Sequence, residues 1–78
     1  MYQTPIRLES VEQIKKFVNT VAVYDCDFDL ESGRYVIDAK SIMGIFSLDL
    51  SHPTSLIIHS NDEEEIAKIR EDLAEFIG

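Results

Sequence analysis

A chain of 78 residues, 45% apolar and 28% charged, has enough hydrophobic material for one small core and too little for two domains, near the lower size limit at which burial alone holds a fold. Seven Lys and Arg against fifteen Asp and Glu give a formal charge of −8, a sign that repels phosphate backbones and anionic lipid heads and argues against nucleic acid and membrane surfaces as partners. No apolar run approaches the ~18–20 residues of a membrane span, and residues 1–5 lack the basic and apolar regions of a secretory leader, so the expected location is the cytoplasm.

Residues 2 to 8 read as a first strand, with Ile6 and Leu8 on one face and Arg7 on the other. Ser10 then offers an N-cap, and Gln13 three residues on completes a capping box. Val11, Ile14, Val18 and Val21 recur at helical spacing, which predicts a helix over residues 11 to 21. From 24 to 30 the chain alternates Tyr24, Cys26, Phe28 and Leu30 against Asp25, Asp27 and Asp29, the period-2 pattern of a half-buried strand. Glu31-Ser32-Gly33 supplies a turn, and residues 34 to 38 return as the hairpin partner.

Ser41 caps a short second helix from Ile42 to about Leu48. Ser51-His52-Pro53 breaks the chain after it, because proline cannot continue a helix and biases its predecessor away from helical dihedrals. Residues 54 to 60 form the last strand. Asn61 or Asp62 caps a third helix, along which Ile66, Ile69, Leu73, Phe76 and Ile77 share one stripe while Glu63, Glu64 and Glu65 sit at the positive end of the helix dipole.

The order is βαββαβα with no linker, repeat or low-complexity segment, so residues 1–78 are read as one domain. Strands with one alternating apolar face and three amphipathic helices are satisfied by an α+β open-faced sandwich: a four-stranded antiparallel sheet with the helices stacked on one face. Asp25, Asp27 and Asp29 would then meet water.

Asp25-x-Asp27-x-Asp29 fails as a calcium loop, since its sixth and twelfth positions are Leu30 and Val36 in place of Gly and Glu. Strand side chains two apart stand ~6.6–6.8 Å from one another, too far to share a cation without help from another element. No metal is expected there, and the same open spacing suits no paired-carboxylate catalysis. Cys26 is the only cysteine and reads as an inert packing residue, because its aspartate neighbours disfavour a thiolate. No nucleophilic triad or Gly-rich phosphate loop appears, so no enzyme activity and no cofactor are expected.

Residues 36 to 50 read as a strand running into a serine-started helix. Within them Lys40-Ser41-Ile42-Met43-Gly44, followed by Ile45-Phe46-Ser47-Leu48, resembles the second-helix start of the HPr family, the small phosphocarriers of the bacterial sugar phosphotransferase system. Element order, length and the acidic start of the last helix extend the resemblance over nearly the whole chain, and it implies an HPr-like sandwich. Family members, as the resemblance implies, carry a Gly-x-His-x-Arg-Pro type motif between the first strand and first helix. Its histidine takes phosphate from phosphoenolpyruvate by way of Enzyme I and passes it to transporter subunits.

The corresponding segment here is Arg7-Leu8-Glu9-Ser10-Val11-Glu12-Gln13, with Glu9, Ser10 and Val11 where the histidine is expected, no Arg after the site and no Pro at the first turn. Imidazole suits transfer because it is both nucleophile and leaving group near neutral pH. A phosphoester on Ser10 would not hand its group on, and Glu9 and Glu12 repel a dianion. No catalytic residue is therefore expected. His52 and His59 read as surface or edge histidines.

Ser41 matches the serine that a dedicated HPr kinase phosphorylates in Gram-positive members as a regulatory mark. A helix start and the adjoining Lys40 favour an anion, although N-capping alone, worth about 0.5–2 kcal/mol, is the simpler account of a serine there. Lys40, Ile42, Met43 and Phe46 match the surface that docks partner proteins in the family. One of the three apolar residues must fill the core of so short a helix, and the others would form an exposed patch.

These features point to a non-enzymatic, cytoplasmic HPr-like domain without phosphohistidine transfer. It would act by protein–protein interaction in regulation linked to the sugar phosphotransferase system or carbon-catabolite control. Phosphotransferase-system components, HPr kinase or a transcriptional regulator are its expected partners. A phosphocarrier with a non-standard acceptor and an assembly domain without phosphate chemistry are the alternatives.

Overall fold

The computed structural model describes residues 1–48 and 52–77; Ser51, the first residue of the expected break after the second helix, lies outside them. Along the chain run β1 (Tyr2–Ile6), α1 (Val11–Val21), β2 (Asp27–Ser32), β3 (Tyr35–Asp38), α2 (Ile42–Phe46), β4 (Thr54–His59) and α3 (Glu63–Asp72), in the expected βαββαβα order. The strands form one four-stranded sheet ordered β1-β4-β2-β3, every neighbouring pair antiparallel.

The register sorts the residues into two faces. Thr4, Leu56, Leu30 and Ile37 lie in one row, and Tyr2, Ile58 and Phe28 in the next. These rows meet the helices, and Phe28, Leu30, Leu56 and Ile58 have no exposed surface. Gln3, Ile57, Asp29 and Asp38 cross the opposite face, which no helix covers. Phe17 of α1 meets Phe76 edge-on at 5.9 Å between ring centroids, and Lys16 pairs with Glu75 at 2.8 Å above them. Each fully buried phenylalanine contributes about 1.5–3 kcal/mol relative to exposure.

The sheet sets several boundaries differently from the sequence pattern. Tyr24 and Cys26 alternate correctly with their aspartates, yet the ladder begins at Asp27, which opposes His59. His59 ends β4, so earlier residues have no opposite strand to bond. Asp25 accordingly stands on the loop after α1, outside the strand face that its alternation predicts. β1 ends at Ile6, although Leu8 is still buried at 4% exposure. α2 ends at Phe46 and β4 at His59, each short of its expected end.

Helix α1 keeps its expected limits but turns a different stripe inward. Ile14, Phe17 and Val21 are buried while Val11 is 54% exposed. At ~100° per residue Val11 lies about 90° from the mean direction of those three, so seating Phe17 on the sheet rotates Val11 outward. The hairpin turns on Gly33 and Arg34 alone. Gly33 has φ +60° and Arg34 does not share a positive φ, the pattern of a type II′ turn whose first position favours glycine.

Candidate functional site

The start of α1 is a well-made cap. Ser10 is extended (φ −140°, ψ 161°), and its Oγ accepts the Gln13 N–H at 3.1 Å. The return bond of the capping box comes from one residue earlier than the sequence suggests, Glu9 N–H to Gln13 Oε1 at 2.6 Å. Arg7 Nε reaches Glu9 Oε1 at 3.6 Å, and Glu12 stands in the first turn. This helix start therefore presents carboxylates and carries no imidazole.

Neither histidine is brought there from elsewhere. His59 lies in the Asp27 row on the helix-free face of the sheet, and its Nε2 is 2.7 Å from Asp29 Oδ2. Asp29 is thus in side-chain contact with a histidine rather than simply a solvated carboxylate. Among the described residues no three His, Cys, Asp or Glu side chains converge as a metal site would require. His52 lines a groove of about 730 Å³ between the β2–β3 hairpin and the end of α2, with Ser32, Arg34, Tyr35 and Leu48 among its neighbours and no residue of α1 in the lining.

The start of α2 repeats the cap with other neighbours. Ser41 is extended (φ −94°, ψ 100°), and its exposed Oγ accepts the Gly44 N–H at 3.2 Å. Two bonds from Asp38 bracket the approach: its carbonyl accepts the Ser41 N–H at 3.0 Å, and its Oδ1 accepts the Lys40 N–H at 2.9 Å. Gly44 is marked by closeness rather than by dihedral: a Cβ there would stand 3.2 Å from Ser41 Oγ, which would have to give by a few tenths of an ångström, and in ordinary contact at 3.5 Å with Ile37 Cδ1. Nothing in the pattern of apolar residues marks Gly44. Its place three residues after the capping serine is the signal that could have found it.

Lys40, Ile42, Met43 and Phe46 separate in the structure. Lys40 Nζ donates to the Tyr24 carbonyl at 2.7 Å and lies 5.7 Å from the Phe28 ring centroid, so its ammonium ties α2 to the segment after α1. Ile42 packs against the core, and Ile45, not singled out by the sequence pattern, has no exposed surface and anchors the helix. Met43 is 75% exposed and Phe46 43% exposed, giving two large apolar side chains in water on the helix that Ser41 caps.

Tyr24 extends the tie. Its hydroxyl donates to the Asp72 carboxylate at the end of α3, and burial, then that hydrogen bond, pushes its pKa up to about 12. Cys26 packs against the core beside it. Burial, then the nearby Glu65 carboxylate, pushes the thiol pKa up, opposite to what a reactive thiolate needs.

A sequence profile described as the PTS HPr component phosphorylation site matches residues 11–78. The chain belongs to the HPr family. The match opens at Val11, so Arg7 to Ser10 precede it. Among solved structures, HPr-C-His from Thermoanaerobacter tengcongensis is 30% identical, with 96% of this chain and 92% of that one covered at a TM-score of 0.76. The phosphocarrier protein HPr from Bacillus anthracis str. Ames is 22% identical over 92% of this chain and 93% of that one at a TM-score of 0.61, and shares the fold. No curated protein matches. The HPr sandwich thus carries two serine-capped helix starts, and no helix among the described residues is long and apolar enough to cross a membrane.

Proposed function

We propose that this HPr-family domain works in the cytoplasm by binding proteins of the phosphotransferase system and its regulation, that it does not carry phosphate on histidine, and that Ser41 is its regulatory phosphorylation site. One observation carries the reading: the exposed Ser41 caps a helix that also exposes Met43 and Phe46, whereas the α1 start carries Glu9 and Glu12. An exposed apolar pair on a small acidic domain is a docking feature.

In the regulatory step the γ-phosphoryl of ATP passes to Ser41 Oγ. The Oγ–P bond forms, the hydroxyl proton leaves and ADP departs. The product adds about −1.5 to −2 charge at the start of the helix that exposes Met43 and Phe46. A helix of five residues (Ile42–Phe46) has little aligned dipole, so the electrostatic change is felt by whatever docks on the patch more than by the fold. Lys40 serves the site by fixing the backbone that presents Ser41.

The test has two arms. Incubation with Enzyme I and phosphoenolpyruvate is expected to leave the chain unlabelled, and an acid-labile phosphate on His52 or His59 sinks the non-carrier reading. Incubation with HPr kinase and ATP is expected to label Ser41 in the parent chain and not in Ser41→Ala. Failure of that label removes the regulatory half while leaving docking through Met43 and Phe46 to be judged by partner capture.

A further inference from the structure

The two outer edges of the sheet are unlike. β1 is blunted: Pro5 has no N–H to offer, Arg7 donates its N–H to the Phe76 carbonyl at 2.7 Å, and Ile6 bridges Ile77, so the chain's own end covers that edge. Among the described residues no strand or bridge pairs with the outer side of β3. The Ala39 N–H donates to the Phe28 carbonyl at 2.9 Å. By antiparallel alternation the polar groups of Ile37 and Tyr35 also point to β2, and those of Val36 and Asp38 point outward. The strand Tyr35-Val36-Ile37-Asp38 has no proline or lysine to deter pairing, and Tyr35 and Val36 are 71% and 56% exposed on its opposite faces.

We infer that the β3 edge pairs antiparallel with the β3 edge of a second copy of this chain, centred on Val36. Only registers that set outward residues against outward residues keep both ladders. Centring on Asp38 opposes two aspartates, and centring on Tyr35 or Ile37 sets Arg34 or Asp38 against valine. Centring on Val36 lets the two Val36 residues exchange N–H and C=O bonds and places each Arg34 opposite the other copy's Asp38, so the charges complement one another twice. The Asp38 carbonyl already accepts the Ser41 N–H at 3.0 Å, so Asp38 contributes its N–H, to the Arg34 carbonyl. Tyr35 then lies opposite Ile37, which lines the groove at the end of α2 together with Leu48 and Pro53, where a tyrosine ring finds apolar walls.

So short a ladder buries less than the ~1,200–2,000 Å² of stable complexes, and the dimer is weak and driven by concentration. Sedimentation equilibrium of the full chain from about 10 µM to 1 mM is expected to show the average mass rising from 8.9 kDa toward twice that. Amide exchange at Val36 and Asp38 slows over the same range while Tyr35 and Ile37 stay unchanged. Val36→Pro deletes an outward N–H that β2 does not use and is expected to remain folded by circular dichroism and monomeric throughout. A charge-reversal pair decides the question whether or not that variant folds. Arg34→Asp and Asp38→Arg chains stay monomeric alone and, mixed in equal amounts, associate at least tenfold more tightly than either does with itself. A monomer at the highest concentration, association unchanged by Val36→Pro, or a mixture no tighter than its parts overturns the inference.

Discussion

Ser10 and Ser41 hold nearly the same position in their helices and differ in everything around them. Both are extended, both accept the N–H of the third residue on, and the distances are 3.1 Å and 3.2 Å. Ser10 heads an eleven-residue helix that buries Ile14, Phe17 and Val21, whereas Ser41 heads a five-residue helix with Ile45 as its buried anchor. Glu9 and Glu12 flank the first; Lys40, Met43 and Phe46 flank the second. The cap satisfies orphan amides alike in either setting, so capping geometry says nothing of chemistry. The neighbours decide whether an anion or an apolar partner is welcome.

The sharpest way to break this comparison is phosphorylation. Under HPr kinase and ATP the label is expected to vanish completely in Ser41→Ala and to persist in Ser10→Ala, read by mass spectrometry of the intact chain; label on Ser10 would make the two starts equivalent. Next in size is the support beneath each cap. Phe17→Ala is expected to cost about 3–5 kcal/mol and Ile45→Ala about 2–3 kcal/mol by urea titration, because the shorter helix has fewer neighbours to leave unfilled. A larger loss at Ile45 would reverse the ranking of the two helices.

The caps themselves should differ less. Ser10→Ala is expected to cost about 1 kcal/mol and Ser41→Ala about 0.5 kcal/mol, measured as shifts in urea midpoint at constant slope. Met43→Ser, on the exposed side of α2, should move stability by less than about 0.5 kcal/mol while weakening capture of any partner that uses the patch. Equal capture by parent and variant would take docking off this face.

The smallest effect tests the tie from α2 to α3. The Tyr24 phenol is held neutral up to about 12 against its usual 10.0. Its folded pKa is the higher one, so the stability it contributes is complete below pH 10 and is lost as pH rises through 12. Tyr24→Phe should flatten the alkaline fall in urea midpoint over that range, and a profile identical to the parent's would show that the Asp72 bond does not contribute.

Much of the fold was legible because its signals are local. The period-2 runs at Phe28-Leu30 and Leu56-Ile58 and the Ser10 and Ser41 caps are set by neighbours within a few residues, and each lies where its pattern places it. Ile69, Leu73 and Phe76 are buried as one stripe, but α3 ends at Asp72, so Leu73 and Phe76 lie in the turn beyond it and Ile77 bridges Ile6. The errors fall where a distant element sets the outcome: Tyr24 and Cys26 lack a strand opposite them, Val11 is rotated out by the seating of Phe17, and Asp25 leaves its face for a loop. At the site, exposure of Met43 and Phe46 follows from helical spacing once Ile45 is buried. The path of Lys40 to the Tyr24 carbonyl spans sixteen residues and leaves no periodic trace.

The order of elements, the helix starts, the acidic surface and the absence of imidazole before α1 follow from residue identity alone, because side-chain type and short-range spacing are sufficient for each. Which edge of the sheet stays open, which half of α2 meets water and which carboxylate His59 engages are settled by long-range packing. Those outcomes depend on the β1-β4-β2-β3 strand order, which brings together residues far apart along the chain.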